Sequence, residues 1–345
     1  MGERQITDLA VQRAGKRLTQ SVGYFLTNTV YLPKQTCIRC KGTVVLGAGD
    51  VCERCRSYAG PNTADLVGSL IYACSGADSG RLMRGYKEGR SIQDSEAILL
   101  LLLLGLSRNG CASKAVGCAF THWASVPSLQ HFDREHPLHR VAHQMPGLPK
   151  VQVEVLASEA GKAADHNEAR RFNPGHYDVV SAIPAGSHVL VIEDTWVSGG
   201  HAQSVAAALK NAGADKVSIL AIARWLDMDD SRTRRIYHDS LEPRPYDSTV
   251  CPWLHEPCRP PASIGNVEGR RSSSPPKAGP VRTSQAERTS SAMWGPPAMI
   301  CSLHGVELDH AGRCDACTRL ITPPPPAREP DAKPTPQKKP WWQFW

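Results

Sequence analysis

Val189-Leu190-Val191-Ile192-Glu193-Asp194-Thr195-Trp196-Val197-Ser198-Gly199-Gly200-His201-Ala202 is the stretch that decides how the chain is read. Four apolar residues make a buried strand. Two carboxylates follow at its C-terminal end, where open α/β sheets hold their ligands. A small turn with hydroxyl and glycine residues comes next, then a helix ending near Asn211 and Gly213. Each part has a physical job. Gly199 and Gly200 let backbone N–H groups approach an anion. The helix N-terminus adds unpaired donors and a partial positive charge. The Ser198 hydroxyl can donate to a phosphate oxygen. Adjacent carboxylates accept from sugar hydroxyls and help hold Mg²⁺ beside a pyrophosphate. The plainer alternative is a strand–turn–helix corner whose acids cap the helix. Strand, pair, turn and helix together favour the anion site.

Outward from this stretch the chain alternates strands and helices. Strands are expected at Leu66–Ala73, His122–Val126, Val151–Leu156, His188–Ile192 and Lys216–Ala223. Helices are expected at Ser79–Glu88, Glu96–Leu106 and Ala202–Ala212, with another at Asp8–Ser21. Such alternation predicts an α/β domain over 61–245, built on a parallel sheet flanked by helices. Between two of the strands, the polar stretch Ala163 to Tyr177 is long for a connection and carries Arg170 and Arg171. Long connections in compact domains are often lids. A solvated connector is the equal alternative. Lys87 and Arg90 are further candidate phosphate contacts, although single basic residues are usually solvated.

Cysteines organise the two flanks. Cys37-x2-Cys40 and Cys52-x2-Cys55 are separated by eleven residues, and two such knuckles supply the four soft tetrahedral ligands that zinc prefers. Gly42, Gly47 and Gly49 suit the turns between them. Cys301-x2-His304, nine residues and Cys314-x2-Cys317 make a second candidate zinc set, with His310 competing as the fourth ligand. Four protein ligands leave no open position, so both sites read as structural. Cys74, Cys111 and Cys118 read as core residues, and Cys251 and Cys258 as loop cysteines.

The expected organisation is an N-terminal extension over 1–36, a zinc module over 37–60 and the α/β domain over 61–245. A Pro/Ser-rich flexible linker follows over 246–298, then a second zinc module over 299–320 and a Pro-rich tail over 321–345. The tail ends in Trp341, Trp342, Phe344 and Trp345 beyond Lys338-Lys339. That end suits a docking peptide for a protein partner or a membrane surface. The net charge is +7 among 345 residues with twelve cysteines. A mildly basic balance suits a polyanionic small molecule or nucleic acid. The start MGERQITDLAVQR has no apolar h-region. The apolar run Ala97–Leu104 is shorter than the roughly 20 residues a spanning helix needs. A cytoplasmic protein with no transmembrane segment is expected, with cysteines serving metal in a reducing compartment.

The central stretch resembles the phosphoribosyl pyrophosphate signature of type I phosphoribosyltransferases. The chain is similar in particular to the ComF-like members of that group and their actinobacterial relatives. The matching pieces run in the family's order: Cys37–Cys55, Tyr86-Lys87-Glu88-Gly89-Arg90, Arg170-Arg171-Phe172-Asn173, then the turn. The resemblance covers roughly 37–230, and the turn is its most specific part.

The resemblance implies that Glu193 and Asp194 contact the ribose hydroxyls. It implies that Thr195, Trp196, Val197, Ser198, Gly199, Gly200 and His201 bind the 5-phosphate, and that Arg170 or Arg171 stabilises departing pyrophosphate. The loop after His122–Val126 would contact pyrophosphate too. The family usually has Thr or Ser where this chain has His201, so an imidazole N–H replaces a hydroxyl. The implied activity is phosphoribosyl transfer to an acceptor, with Mg²⁺ at the substrate and zinc in the cysteine module. Two other readings stay open, and His201 favours both. One is a non-catalytic sensor or a competence component that contacts single-stranded DNA. The other is an interaction scaffold around an inactive domain.

Overall fold

The computed structural model describes residues 6–254, except 46, 48, 59, 61, 90 and 134. Arg90, the second zinc set at Cys301, His304, Cys314 and Cys317, and the Pro-rich tail lie outside the described residues.

Among the described residues, seven strands follow the apolar segments. They are β1 (Leu66–Cys74), β2 (His122–Ser125), β3 (Val151–Gln152), β4 (Val155–Ala157), β5 (Tyr177–Val179), β6 (His188–Trp196) and β7 (Lys216–Leu226). Five form one parallel sheet in the order β1-β7-β6-β2-β3. A crossover connection must carry the chain back between parallel neighbours, and helices serve that purpose here. The main helices are α1 (Asp8–Ser21), which precedes β1, and the crossover helices α3 (Asp78–Glu88), α4 (Ile92–Leu106), α5 (Asn109–Val116) and α9 (Gly200–Asn211). Short helices are α2 (Glu53–Ser57), α6 (Pro137–His143), α7 (Glu159–Ala163), α8 (His166–Ala169) and α10 (Ser231–Ile236).

The period of two along β6 and β7 sorts the core into two layers. Leu190, Ile192, Leu220 and Ile222 join a cluster with Leu18 of α1 and Ile98, Leu101 and Leu102 of α4. Val189, Val191, Val217 and Ile219 join the other cluster, with Val205 and Leu209 of α9 and the cysteines at 37, 40, 52 and 55. The leucines of α4 are thus core residues. No single described helix is long and apolar enough to cross a membrane.

Four expectations change. First, β6 does not end at Ile192. It continues through Glu193, Asp194, Thr195 and Trp196, because β7 runs on beside it and pairs Glu193 with Ala221 and Trp196 with Arg224. Thr195 and Trp196 are strand residues, and the turn shortens to Val197–Gly199. Second, the expected strand Val151–Leu156 is two strands. β3 pairs parallel with β2, whereas β4 pairs antiparallel with β5 in a separate two-stranded sheet. Third, the flanks belong to the core. Ala14 and Leu18 of α1 are buried, and so are Cys251 and Trp253, which are not linker residues. Fourth, Cys111 and Cys118 are only partly buried, while Cys74 is buried as expected.

Candidate functional site

Successive side chains of a strand point to opposite faces, so Glu193 and Asp194 diverge although they are adjacent. Asp194 takes the face of the α1–α4 layer. There Lys87, at the last turn of α3, places Nζ 2.9 Å from Asp194 Oδ2. His136, the N-cap of α6, places Nε2 3.3 Å from the same oxygen. Glu193 takes the face of α9. Its Oε2 is buried and has no hydrogen-bond partner among the described residues, and neither has Thr195 Oγ1. Glu193, Asp194 and Thr195 are 8%, 5% and 8% exposed. Buried polar atoms in folded proteins are nearly always bonded, so two orphans at one strand end mark a place for a polar guest.

Electrostatics separates the two acids. Burial, and then the Asp194 charge, push Glu193 well above the ordinary carboxylate range. Burial would raise Asp194 as well, but the Lys87 charge and the His136 contact outweigh it and hold that carboxyl low. The pair therefore resists carrying two charges. Lys87 is pushed down to about 8 by burial, against the pull of Asp194.

A cavity of about 150 Å³ opens at the acids. Its wall includes Val126–Leu129 after β2, Arg170 after α8, and Ser198, Gly199 and His201. Of the two arginines expected at a lid, the fold brings Arg170 to the cavity. Arg171 is exposed and does not line it.

The turn is held tightly, and its glycines are required by packing. Gly199 has φ +84, and a Cβ there would stand 2.2 Å from the Trp196 ring. A Cβ on Gly200 would stand 2.1 Å from the Arg170 carbonyl oxygen. Ser198 Oγ donates to that carbonyl at 3.4 Å, and Asn173 N donates to Ser204 Oγ of α9 at 2.8 Å. The segment 165–176 therefore packs on the turn and the start of α9.

His201, at the first turn of α9, shares a 2.7 Å hydrogen bond with Tyr177 OH. Burial, and then the Arg170 charge, push it down to about 4, so the ring is neutral near pH 7. A neutral imidazole can offer one N–H, where a hydroxyl would offer a rotatable donor.

The first cysteine set assembles as the spacing requires. The ligand atoms of Cys37, Cys40, Cys52 and Cys55 all lie within 4.8 Å of one another, and all four residues are buried. Backbone donors fix two sulfurs: Cys52 N reaches Cys37 Sγ at 3.3 Å and Cys55 N reaches Cys52 Sγ at 3.5 Å. Four converging thiols in a closed shell fit a structural zinc ion. This is the one group of three or more such ligands among the described residues, so the acid pair is not itself a cation cluster.

Gly47 and Gly49 take positive φ as turn glycines. Gly42 is glycine for another reason. A Cβ there would stand 2.1 Å from Nη2 of Arg224. Arg224 is a residue that sequence reasoning passed over. A lone arginine near the end of an apolar strand carries no motif. Lys87 was legible as a candidate phosphate contact or a solvated cation, but not as the buried partner of Asp194, which lies on a distant strand. No protein-family model matches the chain, and no curated protein matches it.

Proposed function

We propose that the chain binds phosphoribosyl pyrophosphate at the end of β6 and transfers its phosphoribosyl group to an acceptor, as a type I phosphoribosyltransferase-like domain. The observation that carries this reading is the orphaned Glu193 Oε2 and Thr195 Oγ1 beside Asp194, at the wall of a cavity that reaches the 198–201 turn. A sugar with vicinal hydroxyls supplies donors to the carboxylates, and its 5-phosphate accepts from the turn and the first N–H groups of α9.

The chemistry is substitution at the anomeric carbon, where pyrophosphate leaves as the acceptor approaches. Glu193 and Asp194 hold the ribose in place, so positioning supplies part of the rate. Arg170, at the cavity wall, faces the charge that builds on the leaving group. Segment 165–176 excludes water from the turn side. Mg²⁺ bound with the pyrophosphate would neutralise its charge. Zinc in the cysteine module has no open position and would act on structure alone.

One observation favours a second reading. His201 is neutral, half-buried and already bonded to Tyr177, so it is a poorer phosphate donor than a free hydroxyl. A sensor that binds the same ligand without turnover, or a ComF-like component of DNA uptake, would keep the acids and tolerate this change. Calorimetry of the full chain with phosphoribosyl pyrophosphate and Mg²⁺ tests both readings for binding. Release of pyrophosphate with candidate bases and amines then separates catalysis from sensing.

A further inference from the structure

Arg224 joins the two centres of this domain. It lies near the end of β7, opposite Trp196 of β6 in the sheet register. Its Nη1 donates to Trp196 O at 3.1 Å and to Val197 O at 2.9 Å, the two carbonyls that lead into the 198–201 turn. Nη1 also bonds the carbonyl of Trp225. The other side of the guanidinium faces the cysteine module. It packs on Gly42, whose carbonyl accepts from Cys37 N at 2.7 Å, so it touches the turn of the first cysteine knuckle. Its Nη2 occupies the space a side chain on Gly42 would need.

Two consequences follow from charge and geometry. A guanidinium is planar, with its donors in a fixed fork, so holding one edge orients the other. A zinc tetrathiolate carries a net negative charge of about two, which makes it the natural counter-charge for Arg224. Without an ion to close on, the cysteine knuckle that carries Gly42 is less firmly held, and its contact with the guanidinium loses support. The Trp196 ring in turn packs against Gly199, so a shift of the 196–197 backbone is passed to the turn.

We propose that Arg224 is a positioning residue that couples metal occupancy of the Cys37, Cys40, Cys52 and Cys55 cluster to the geometry of the Val197–Gly199 turn and the start of α9. The metal module then does more than complete the fold. It sets the shape of the anion site, and loss of metal loosens that site while leaving the start of β6 intact. The effect on ligand affinity rests on the phosphoribosyl pyrophosphate reading above; the effect on the turn does not.

Hydrogen–deuterium exchange on the zinc-loaded full chain tests the coupling. Arg224→Gln should keep the wild-type zinc content yet speed exchange of amides 197–202 on the order of tenfold, through loss of the charge-assisted hold on the Trp196 and Val197 carbonyls. Chelation of zinc from the wild type should raise the same amides and leave 188–192 unchanged. Chelation of Arg224→Gln should add little at 197–202, because both changes act on one link. Fully additive effects at 197–202 would overturn the coupling. So would a wild-type turn that ignores chelation, or an equal rise at 188–192. If Arg224→Gln does not fold, Arg224→Lys replaces it, and the chelation of wild type decides by itself. If the turn responds but zinc-loaded wild type binds no phosphoribosyl pyrophosphate, the ligand assignment fails and the coupling stands.

Discussion

Lys87 Nζ lies 2.9 Å from Asp194 Oδ2, with both side chains under a tenth exposed. A helix that follows β1 thus neutralises a carboxylate on β6, and the site carries its own counter-charge before any ligand arrives. Breaking a buried pair by removing one partner costs about 3–5 kcal/mol, because the other charge is stranded. Lys87→Met and Asp194→Asn should each destabilise the fold by that order. The double variant should lose clearly less than the sum of the two. Urea unfolding of the four proteins checks this, and strict additivity would show that the contact carries no coupling. Asp194→Asn is therefore a poor probe of ligand binding taken alone.

His201 predicts a pH effect. Burial and then the Arg170 charge lower its folded value to about 4 from the ordinary imidazole value of 6.5, so the unfolded chain binds a proton that the folded chain refuses. Between those values the unfolded state gains protons as pH falls, and stability drops with pH. The loss from this group, complete only below pH 4, is at most about 3 kcal/mol. His201→Thr should flatten the urea midpoint against pH between 7 and 5 relative to wild type. Parallel profiles for the two proteins would contradict a neutral ring.

Gly199 predicts a folding defect independent of ligand. Its φ of +84 and the 2.2 Å approach of the Trp196 ring both exclude a side chain. The left-handed conformation alone costs a non-glycine residue about 1–2 kcal/mol. Gly199→Ala should lower the thermal midpoint in ligand-free buffer, and Gly199→Val should lower it further. A midpoint within error of wild type for both would refute the packing.

Zinc content predicts a stoichiometry. Cys37→Ser or Cys55→Ser should lower the metal bound to the full chain by one ion, with a matching loss of stability, since small metal modules fold on their ion. Elemental analysis of freshly purified protein checks this. Equal zinc in wild type and variant would rule out a four-cysteine site.

The amino-acid pattern made some of this legible and hid the rest for physical reasons. Val189–Ile192 and the paired Cys-x2-Cys knuckles are local signals, and the sheet and the cysteine cluster follow from them. Val151, Val153 and Val155 keep an unbroken alternation. Only tertiary pairing shows that the first belongs to the main sheet and the last to the two-stranded one. The opposed directions of Glu193 and Asp194 were implicit in the strand period. Their partners were not, because Lys87 and His136 come from distant parts of the chain. Gly199 and Gly200 were visible as a turn, but the contacts that require glycine, the Trp196 ring and the Arg170 carbonyl, are set by the fold.

The central claim is ligand binding at the end of β6, and Glu193→Gln is its cleanest probe. Burial already disfavours the charged form of Glu193, so an amide of equal shape should leave stability unchanged. In complex with the ligand, the ribose hydroxyls give Glu193 the donors it lacks, which favours its charged form, and such a charge-assisted bond is worth roughly 1.5–3 kcal/mol. Isothermal titration of the zinc-loaded full chain with phosphoribosyl pyrophosphate and Mg²⁺ should therefore give saturable binding by wild type. Glu193→Gln, folded as well as wild type, should bind on the order of tenfold to a hundredfold more weakly. No binding by wild type, or equal affinity for the two proteins, would contradict the account.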